Sequence, residues 1–117
     1  MHQPANDPND LERFFVERAN AGDLEGLIAL YEKTAIIDSG GGEILRGIDQ
    51  IRPYLIKFLA SHTQLLPSRQ AKALCRDDLA LTSSQLANGD ITAEIARRQA
   101  DGSWRWVVDQ FALGNRR

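Results

Sequence analysis

The sequence predicts an α+β fold, in which two helices, a β-hairpin and a third helix precede four antiparallel strands. Apolar residues recur at helical spacing before residue 34 and again from 48 to 61. Segments 34–46 and 69–113 are instead rich in strand-forming patterns. Glycine turns at 40–42, 88–89 and 101–102 divide these strand segments, and the Asn-Gly and Asp-Gly pairs favour tight hairpins. This order of elements is that of an α+β cone.

The first two helices are short and amphipathic. Asp7 caps the first helix ahead of Pro8, since a proline at the first helical position loses no hydrogen bond. Gly22 ends it, and Asp23 caps a second helix that is expected to end at Tyr31. The apolar faces consist of Leu11, Phe14, Phe15 and Ala19 in the first helix, and of Leu24, Leu27, Ile28 and Tyr31 in the second. Each face needs a further layer to cover it.

The chain then changes period twice. Residues 34–38 are β-branched and apolar, the glycines at 40–42 supply a turn, and 43–46 form a short return strand. Helical spacing resumes from Ile48 to about Ser61, and a cap at Asp49 would place Pro53 in the first helical turn. Strands are predicted at 69–76, 79–87, 91–99 and from Trp104 to about 113.

Composition excludes several functional classes. At 117 residues the chain is expected to form a single domain, residues 1–117. A net charge of -2 gives no electrostatic surface for nucleic acid. Cys75 is the one cysteine, so no internal disulfide is predicted, and it is expected to be a small apolar strand residue. No second thiol or pair of histidines lies at metal-ligand spacing, so no metal site is predicted. No apolar run has the length of a membrane span or a signal peptide, no cofactor is implied, and the expected compartment is the cytoplasm.

Three segments carry a resemblance to a known family. These are ANAGDLEGLIALYEKTAIIDSGGG, RGIDQIRPYL and RRQADGSWRWVVDQ. Together they resemble the SnoaL-like branch of the nuclear transport factor 2-like superfamily, which includes ketosteroid isomerase. The resemblance spans nearly the whole chain. It implies a strongly curved sheet wrapped around three helices, a ligand-sized cavity between them, and dimerisation through the outer sheet face.

The isomerase residues do not carry over. Ketosteroid isomerases use an Asp base with an oxyanion hole made from a Tyr and a protonated Asp. Their Tyr position falls on Phe15 and their protonated Asp position on Ala96, and neither side chain can donate. The base position falls on Ser39, beside Asp38. Each missing oxyanion donor would cost about 3 kcal/mol of transition-state stabilisation, which argues against this mechanism.

Strand alternation predicts a different polar set in the cavity. The family register places Asp109 on the inner face of the last strand, together with Arg105, Val107 and Phe111. It places Glu94 and Arg98 inward on the preceding strand, and Leu81, Ser83 and Gln85 on the strand before that. Glu94, Arg98 and Asp109 would then form a charged cluster. Alternatively, Arg98 only neutralises a carboxylate, or a bulge changes the alternation and leaves the set in solvent.

Further candidates come from the helices and the first strand. Asp38 is either a general base or an ordinary turn acceptor. His62, at the end of the third helix, is either a proton donor or acceptor at the cavity mouth or a helix-terminal polar residue. Tyr31 reaches the cavity with its hydroxyl or is a core aromatic with a hydrated tip. Phe15, Phe58 and Phe111 are expected to line the cavity.

The other face of the last strand predicts assembly. Trp104, Trp106 and Val108 alternate with Arg105, Val107 and Asp109, which directs large apolar groups away from the helices. Exposed aromatic surface of this kind marks an interface. A homodimer through the outer sheet face is therefore predicted.

These observations favour a small-molecule-binding domain with a mostly apolar pocket. The alternative is an isomerase, cyclase or dehydratase type of enzyme that uses Asp38, His62 or Asp109 in acid-base steps on a small cyclic or polyketide-like substrate. A third possibility is a dimerisation module whose aromatic residues fill the interior. The ligand is not predicted.

Overall fold

The computed structural model describes residues 2–61 and 64–111. Its helices are α1 (Asp10–Asn20), α2 (Leu24–Ile28) and α3 (Ile48–Ser61). Its strands are β1 (Tyr31–Asp38), β2 (Ile44–Arg46), β3 (Arg69–Gln70), β4 (Leu74–Arg76), β5 (Leu79–Gln85), β6 (Ile91–Arg98) and β7 (Trp104–Gln110). The α+β class and the order of elements are as predicted, except that the strand predicted over 69–76 is divided into β3 and β4.

The seven strands form one open, mixed sheet. The order is β2-β1-β7-β6-β5-β3, and β4 also pairs with β5. The pair β1 and β7 is parallel, and the other pairs are antiparallel. The three helices pack against one face of this sheet, which gives the α+β cone expected from the sequence. None of the helices among the described residues is both long and apolar enough to cross a bilayer.

The start of β1 corrects one prediction. Helix α2 has five residues and ends at Ile28, so Tyr31 begins a strand instead of ending a helix. The N-cap assigned to Asp23 is confirmed, because its Oδ1 accepts a hydrogen bond of 2.9 Å from the Gly26 backbone. Beyond α2, the Leu30 carbonyl accepts a hydrogen bond of 2.7 Å from the Trp106 backbone N–H, and this bond connects the chain to the sheet. Tyr31 is therefore held beside β7, where it is fully buried.

A bulge in β7 corrects the predicted faces of the last strand. Ile95 pairs with Val108 and Ala96 with Trp106, so Val107 is an extra residue without a partner on β6. The bulge directs both Trp106 and Asp109 to the inner face, where strict alternation would separate them.

The two tryptophans of β7 are buried instead of exposed. Trp106 is 2% exposed and Trp104 is 7% exposed, so the prediction that they lie on the outer face is wrong. The Ala5 carbonyl accepts a hydrogen bond of 2.8 Å from the Trp104 backbone N–H, which pairs the amino-terminal segment with the start of β7. Of the residues predicted to face inward beside Asp109, Arg105 is exposed. Val108 lies on the outer face as predicted, with 38% of its surface exposed.

The inner face of β5 is also shifted by one residue from its prediction. Thr82 pairs with the inward-facing Glu94, and Thr82 and Ser84 are buried. Leu81 and Gln85 are therefore exposed. Ser83, between them, is half-buried and donates from its hydroxyl to the Thr92 carbonyl at 2.7 Å. The prediction that Leu81, Ser83 and Gln85 face the cavity is wrong for this reason.

Candidate functional site

A cavity of about 340 Å³ lies between helices α1 and α3 and the inner face of β6 and β7. Its volume falls within the range of small-molecule sites, near the lower end. The apolar lining consists of Phe15, Val16, Phe58, Leu65, Leu66, Leu86, Ala87, Trp106 and Phe111. The polar lining consists of Glu12, Gln64, Asn88, Thr92, Glu94 and Asp109.

Aromatic rings form one side of the cavity. The Phe15 ring is 5.8 Å from that of Phe58, 6.1 Å from that of Trp106 and 6.4 Å from that of Phe111, between ring centroids. Tyr54 of α3 packs against Phe58 and Phe111 from behind. Because these rings contact each other in stacked, tilted and edge-on arrangements, the wall is a packed surface with a defined shape.

Asp109 lies deep in the site and is 3% exposed. Its Oδ2 accepts a hydrogen bond of 2.7 Å from the Tyr31 hydroxyl. Burial raises the pKa of Asp109 well above its ordinary value, the nearby Glu94 raises it further, and the Tyr31 bond offsets part of the change. The pKa of Tyr31 is also raised, by burial and then by Asp109, so the tyrosine stays a donor.

Two polar atoms beside the cavity lack partners. Among the described residues, neither Asp109 Oδ1 nor Trp106 Nε1 has a hydrogen-bond partner, although both atoms are buried. Both residues line the cavity. Buried polar groups are paired in nearly all native proteins, so these two atoms call for an explanation.

Glu94 is the second carboxyl group of the site. It lies directly opposite Asp109 in the pairing of β6 with β7 and is equally buried. Its Oε1 accepts a hydrogen bond of 2.6 Å from Thr82 Oγ1. Burial raises the pKa of Glu94, and its bonds to Thr82 and Thr92 lower it in part.

Glu12 of α1 supplies a third carboxyl group from the helical side. Its Oε2 accepts a hydrogen bond of 3.2 Å from the Ser68 hydroxyl. Burial, followed by repulsion from Glu94, raises the pKa of Glu12 to about 7. No Lys, Arg or His occurs among the described residues that line the cavity. The three carboxyl groups therefore share one site without a basic partner from that lining. Within residues 2–61 and 64–111, no group of three or more His, Cys, Asp and Glu side chains could hold a metal ion.

The structure brings together several of the predicted site residues. Phe15, Phe58, Phe111, Glu94 and Asp109 line the cavity as expected. Tyr31 lies behind Asp109 and reaches the site through its hydrogen bond. His62 lies outside the described residues.

Two other predicted site residues lie elsewhere. Arg98 is exposed at the end of β6, where its Nε donates a hydrogen bond of 2.9 Å to Asp78. The expected cluster of Glu94, Arg98 and Asp109 therefore does not form. Asp38 is not among the lining residues. Its carboxylate accepts from the Gly40 backbone at 2.9 Å and from Gln110 Nε2 at 2.7 Å, which is the turn-acceptor geometry.

The sequence pattern did not indicate Glu12 or Trp106 as site residues. Glu12 precedes Phe15 by three positions and Val16 by four, so a helix places it on the same side as these lining residues. That spacing was an available signal. No comparable signal existed for Trp106, because its orientation depends on the bulge.

Comparisons with solved structures identify the fold. A proposed calcium/calmodulin-dependent protein kinase type II association domain from Thiobacillus denitrificans has a TM-score of 0.75 and 16% identity, and covers 92% of this chain and 95% of its own. A proposed ketosteroid isomerase from Shewanella frigidimarina has a TM-score of 0.70 and 14% identity, over 86% and 90%. A SnoaL-like protein of unknown function from Burkholderia thailandensis has a TM-score of 0.64 and 20% identity, over 91% and 93%. No protein-family model matches the sequence, and no curated protein matches it significantly.

The chain has the nuclear transport factor 2-like, SnoaL-like fold. Identities of 14–20% establish this fold and nothing about activity. Phe15, which the sequence register matched to one oxyanion donor of ketosteroid isomerase, lies in the cavity wall, and Ala96, which it matched to the other, lies in the core. Neither supplies a donor. The acidic groups of the cavity come instead from α1, β6 and β7.

Proposed function

We propose that this protein binds a small, largely apolar molecule in the cavity between α1, α3 and the sheet. The observation that carries the proposal is the cavity itself, about 340 Å³ in volume, with an aromatic and aliphatic wall and three carboxyl groups in its polar lining. Ligand sites have this composition, in which an apolar lining gives affinity and a few polar groups give orientation. A space of this size weighs against a dimerisation module with a filled interior.

A cavity-filling variant tests the proposal. Val16 lines the cavity from α1, and the next residue, Glu17, faces solvent on the same helix. We expect Val16→Trp to abolish retention of a co-purifying small molecule in native mass spectrometry, and Glu17→Trp to leave it unchanged. Equal retention in the two variants would place the ligand elsewhere.

A second candidate function is acid-base catalysis on a small cyclic substrate. The specific observation in its favour is the 2.7 Å hydrogen bond between Tyr31 and Asp109, beside a Glu12 whose pKa is about 7. A group with a pKa near the working pH transfers protons well in both directions. Proton exchange into a cyclic ketone in deuterated water, followed by NMR, would measure this activity. We expect Asp109→Asn to abolish exchange. An exchange rate in this variant equal to that of the wild type would reject Asp109 as a catalytic residue.

We also propose that the chain forms a homodimer through the outer face of the sheet. The tryptophans are buried, but another apolar row occupies this face. Successive strand partners across β4, β5, β6, β7 and β1 are Leu74, Leu81, Ile95, Val108 and Ile36. The first four are 68%, 46%, 40% and 38% exposed. A continuous apolar row of this kind on a sheet surface supports association with a second copy.

A further inference from the structure

We propose that the cavity ligand is an organic amine, whose ammonium group binds among Glu12, Glu94 and Asp109 and whose apolar body packs on the aromatic wall. The inference rests on the proposed binding function and specifies its ligand class.

The first argument is the charge of the site. Acidic side chains elsewhere pair with arginines: Glu32 with Arg97, Asp78 with Arg98 and Glu25 with Arg52. In the cavity, by contrast, three carboxyl groups from three elements belong to one lining, and the described lining holds no basic side chain. Buried carboxylates are strongly destabilising unless a cation or several donors compensate them. A ligand ammonium supplies both charge and donors.

The second argument is independent of the charge count. Asp109 Oδ1 and Trp106 Nε1 are buried without partners among the described residues, in side chains that line the cavity. An ammonium N–H would satisfy the carboxyl oxygen. The indole N–H needs an acceptor, so an amine that also carries a hydroxyl or ether oxygen would complete the site.

The third argument comes from the aromatic wall. Phe15, Phe58, Trp106 and Phe111 lie on the cavity surface, and Phe15 is within 6.4 Å of each of the other three rings. Aromatic faces attract cations through their negative quadrupole, most strongly where water is excluded. The same rings would also pack against an uncharged apolar group, so the wall suits a molecule that has both a cationic and an apolar part.

The competing ligand class is a neutral carbonyl or hydroxyl compound that accepts hydrogen bonds from protonated carboxyl groups. The pH dependence of affinity distinguishes the two classes. The titratable groups around the site are Glu12 on α1, Glu94 on β6, Asp109 on β7, Tyr31 on β1 and Tyr54 on α3. Both tyrosines have raised pKa values and stay neutral below pH 9. The pKa of Glu12 is about 7, so it ionises between pH 6 and 8. Amine affinity should therefore rise over this interval, and affinity for a neutral acceptor should fall.

Three probes with the same phenyl body test the ligand class. These are 2-phenylethylamine, its neutral counterpart 2-phenylethanol and the anion 3-phenylpropanoate. We expect calorimetry at pH 8 to show the amine binding at least tenfold more tightly than the alcohol, with no binding of the anion. Alkylamines stay protonated in this range, so a several-fold gain in amine affinity from pH 6 to 8 reports ionisation of the protein.

Carboxyl-to-amide variants locate the binding groups. We expect Glu94→Gln and Asp109→Asn each to weaken amine binding at least tenfold. Glu32→Gln, a matched change on the sheet surface, should leave it unaltered. If Asp109→Asn fails to fold, Glu12→Gln at the half-buried edge of the site provides the same comparison.

The outcomes separate the ligand class from the binding function. Alcohol or anion binding as tight as amine binding, or an amine affinity that falls as pH rises, would overturn the ligand class and leave the cavity proposal standing. Absence of binding by all three probes, together with no retained compound in the wild type, would overturn both.

Discussion

Each face of the sheet carries some side chains that are unusual for its position. On the inner face, Glu94 and Asp109 are each 3% exposed and lie beside a cavity. On the outer face, Leu81, Ile95 and Val108 form a row that is open to solvent in the isolated chain. Buried acids and exposed aliphatic residues are both unfavourable in a monomer that binds nothing.

This difference indicates that each face is completed by a different component. The inner face needs a ligand with donors and positive charge, and the outer face needs an apolar surface. Two glutamates of the same sheet show this contrast. Glu32 pairs with Arg97 and has a lowered pKa, mainly through that hydrogen bond, whereas burial raises the pKa of Glu94. Environment, and not residue type, sets the role of each acid.

The largest expected effect concerns the inner face. Trp106→Ala removes a buried ring that packs on Phe15 and Tyr31. We expect a loss of about 3–5 kcal/mol in the free energy of unfolding, measured by urea denaturation at fixed protein concentration. A loss below about 1 kcal/mol would mean that Trp106 is not a core residue and that the two faces are wrongly assigned.

The next effect concerns the outer face. Ile95→Glu places a charge in the middle of the apolar row, and in a symmetric dimer two such charges would be buried together. We expect sedimentation to show a dimer for the wild type and a monomer for this variant, with the dissociation constant raised at least 100-fold. Ile56→Glu is the matched control, since Ile56 is an exposed apolar residue on α3. A wild type that stays monomeric at micromolar concentration would contradict the interface.

A smaller effect comes from the cost of keeping Glu12 in the site. Its pKa is about 7 in the folded chain against an ordinary value of 4.5. The stabilising contribution of the protonated form is fully present below pH 4.5 and is lost as pH rises through 7. We expect Glu12→Gln to be more stable than wild type by about 1–3 kcal/mol at pH 8 and by little at pH 4.5. Glu17→Gln, exposed on the same helix, should show no such dependence; a gain in Glu12→Gln that is independent of pH would contradict the assignment.

The smallest effect is expected at Arg98. Its ion pair with Asp78 is exposed, and exposed pairs contribute about 0–1 kcal/mol. Arg98→Ala should therefore change unfolding little and leave amine binding within twofold of wild type. A tenfold change in affinity would bring Arg98 back into the site from which the structure excludes it.

The fold could be predicted from sequence because its signals are local. Helical spacing in α1 and α3, the cap at Asp23 and the glycine turns each depend on a few neighbouring residues. The inward positions of Phe15, Phe58 and Phe111 also followed from resemblance and spacing.

The details of the site were harder to predict because they depend on strand pairing. Alternation along β7 breaks at Val107, and alternation along β5 is fixed by the pairing of Thr82 with Glu94. Neither pairing can be read from the strand's own residues. Glu12 illustrates a different limit, since its spacing from Phe15 was visible but a charged side chain on a helix does not by itself indicate a buried position.

The bulge at Val107 makes backbone geometry in one strand a determinant of chemistry. In a regular ladder that kept this residue, strict alternation would turn Asp109 out of the cavity and into the proposed contact surface. Deleting Val107 would instead leave Trp106 and Asp109 on the same face, because the deletion removes the extra residue itself. Loss of the bulge without loss of the residue would therefore remove an acid from one function and introduce a charge into the other.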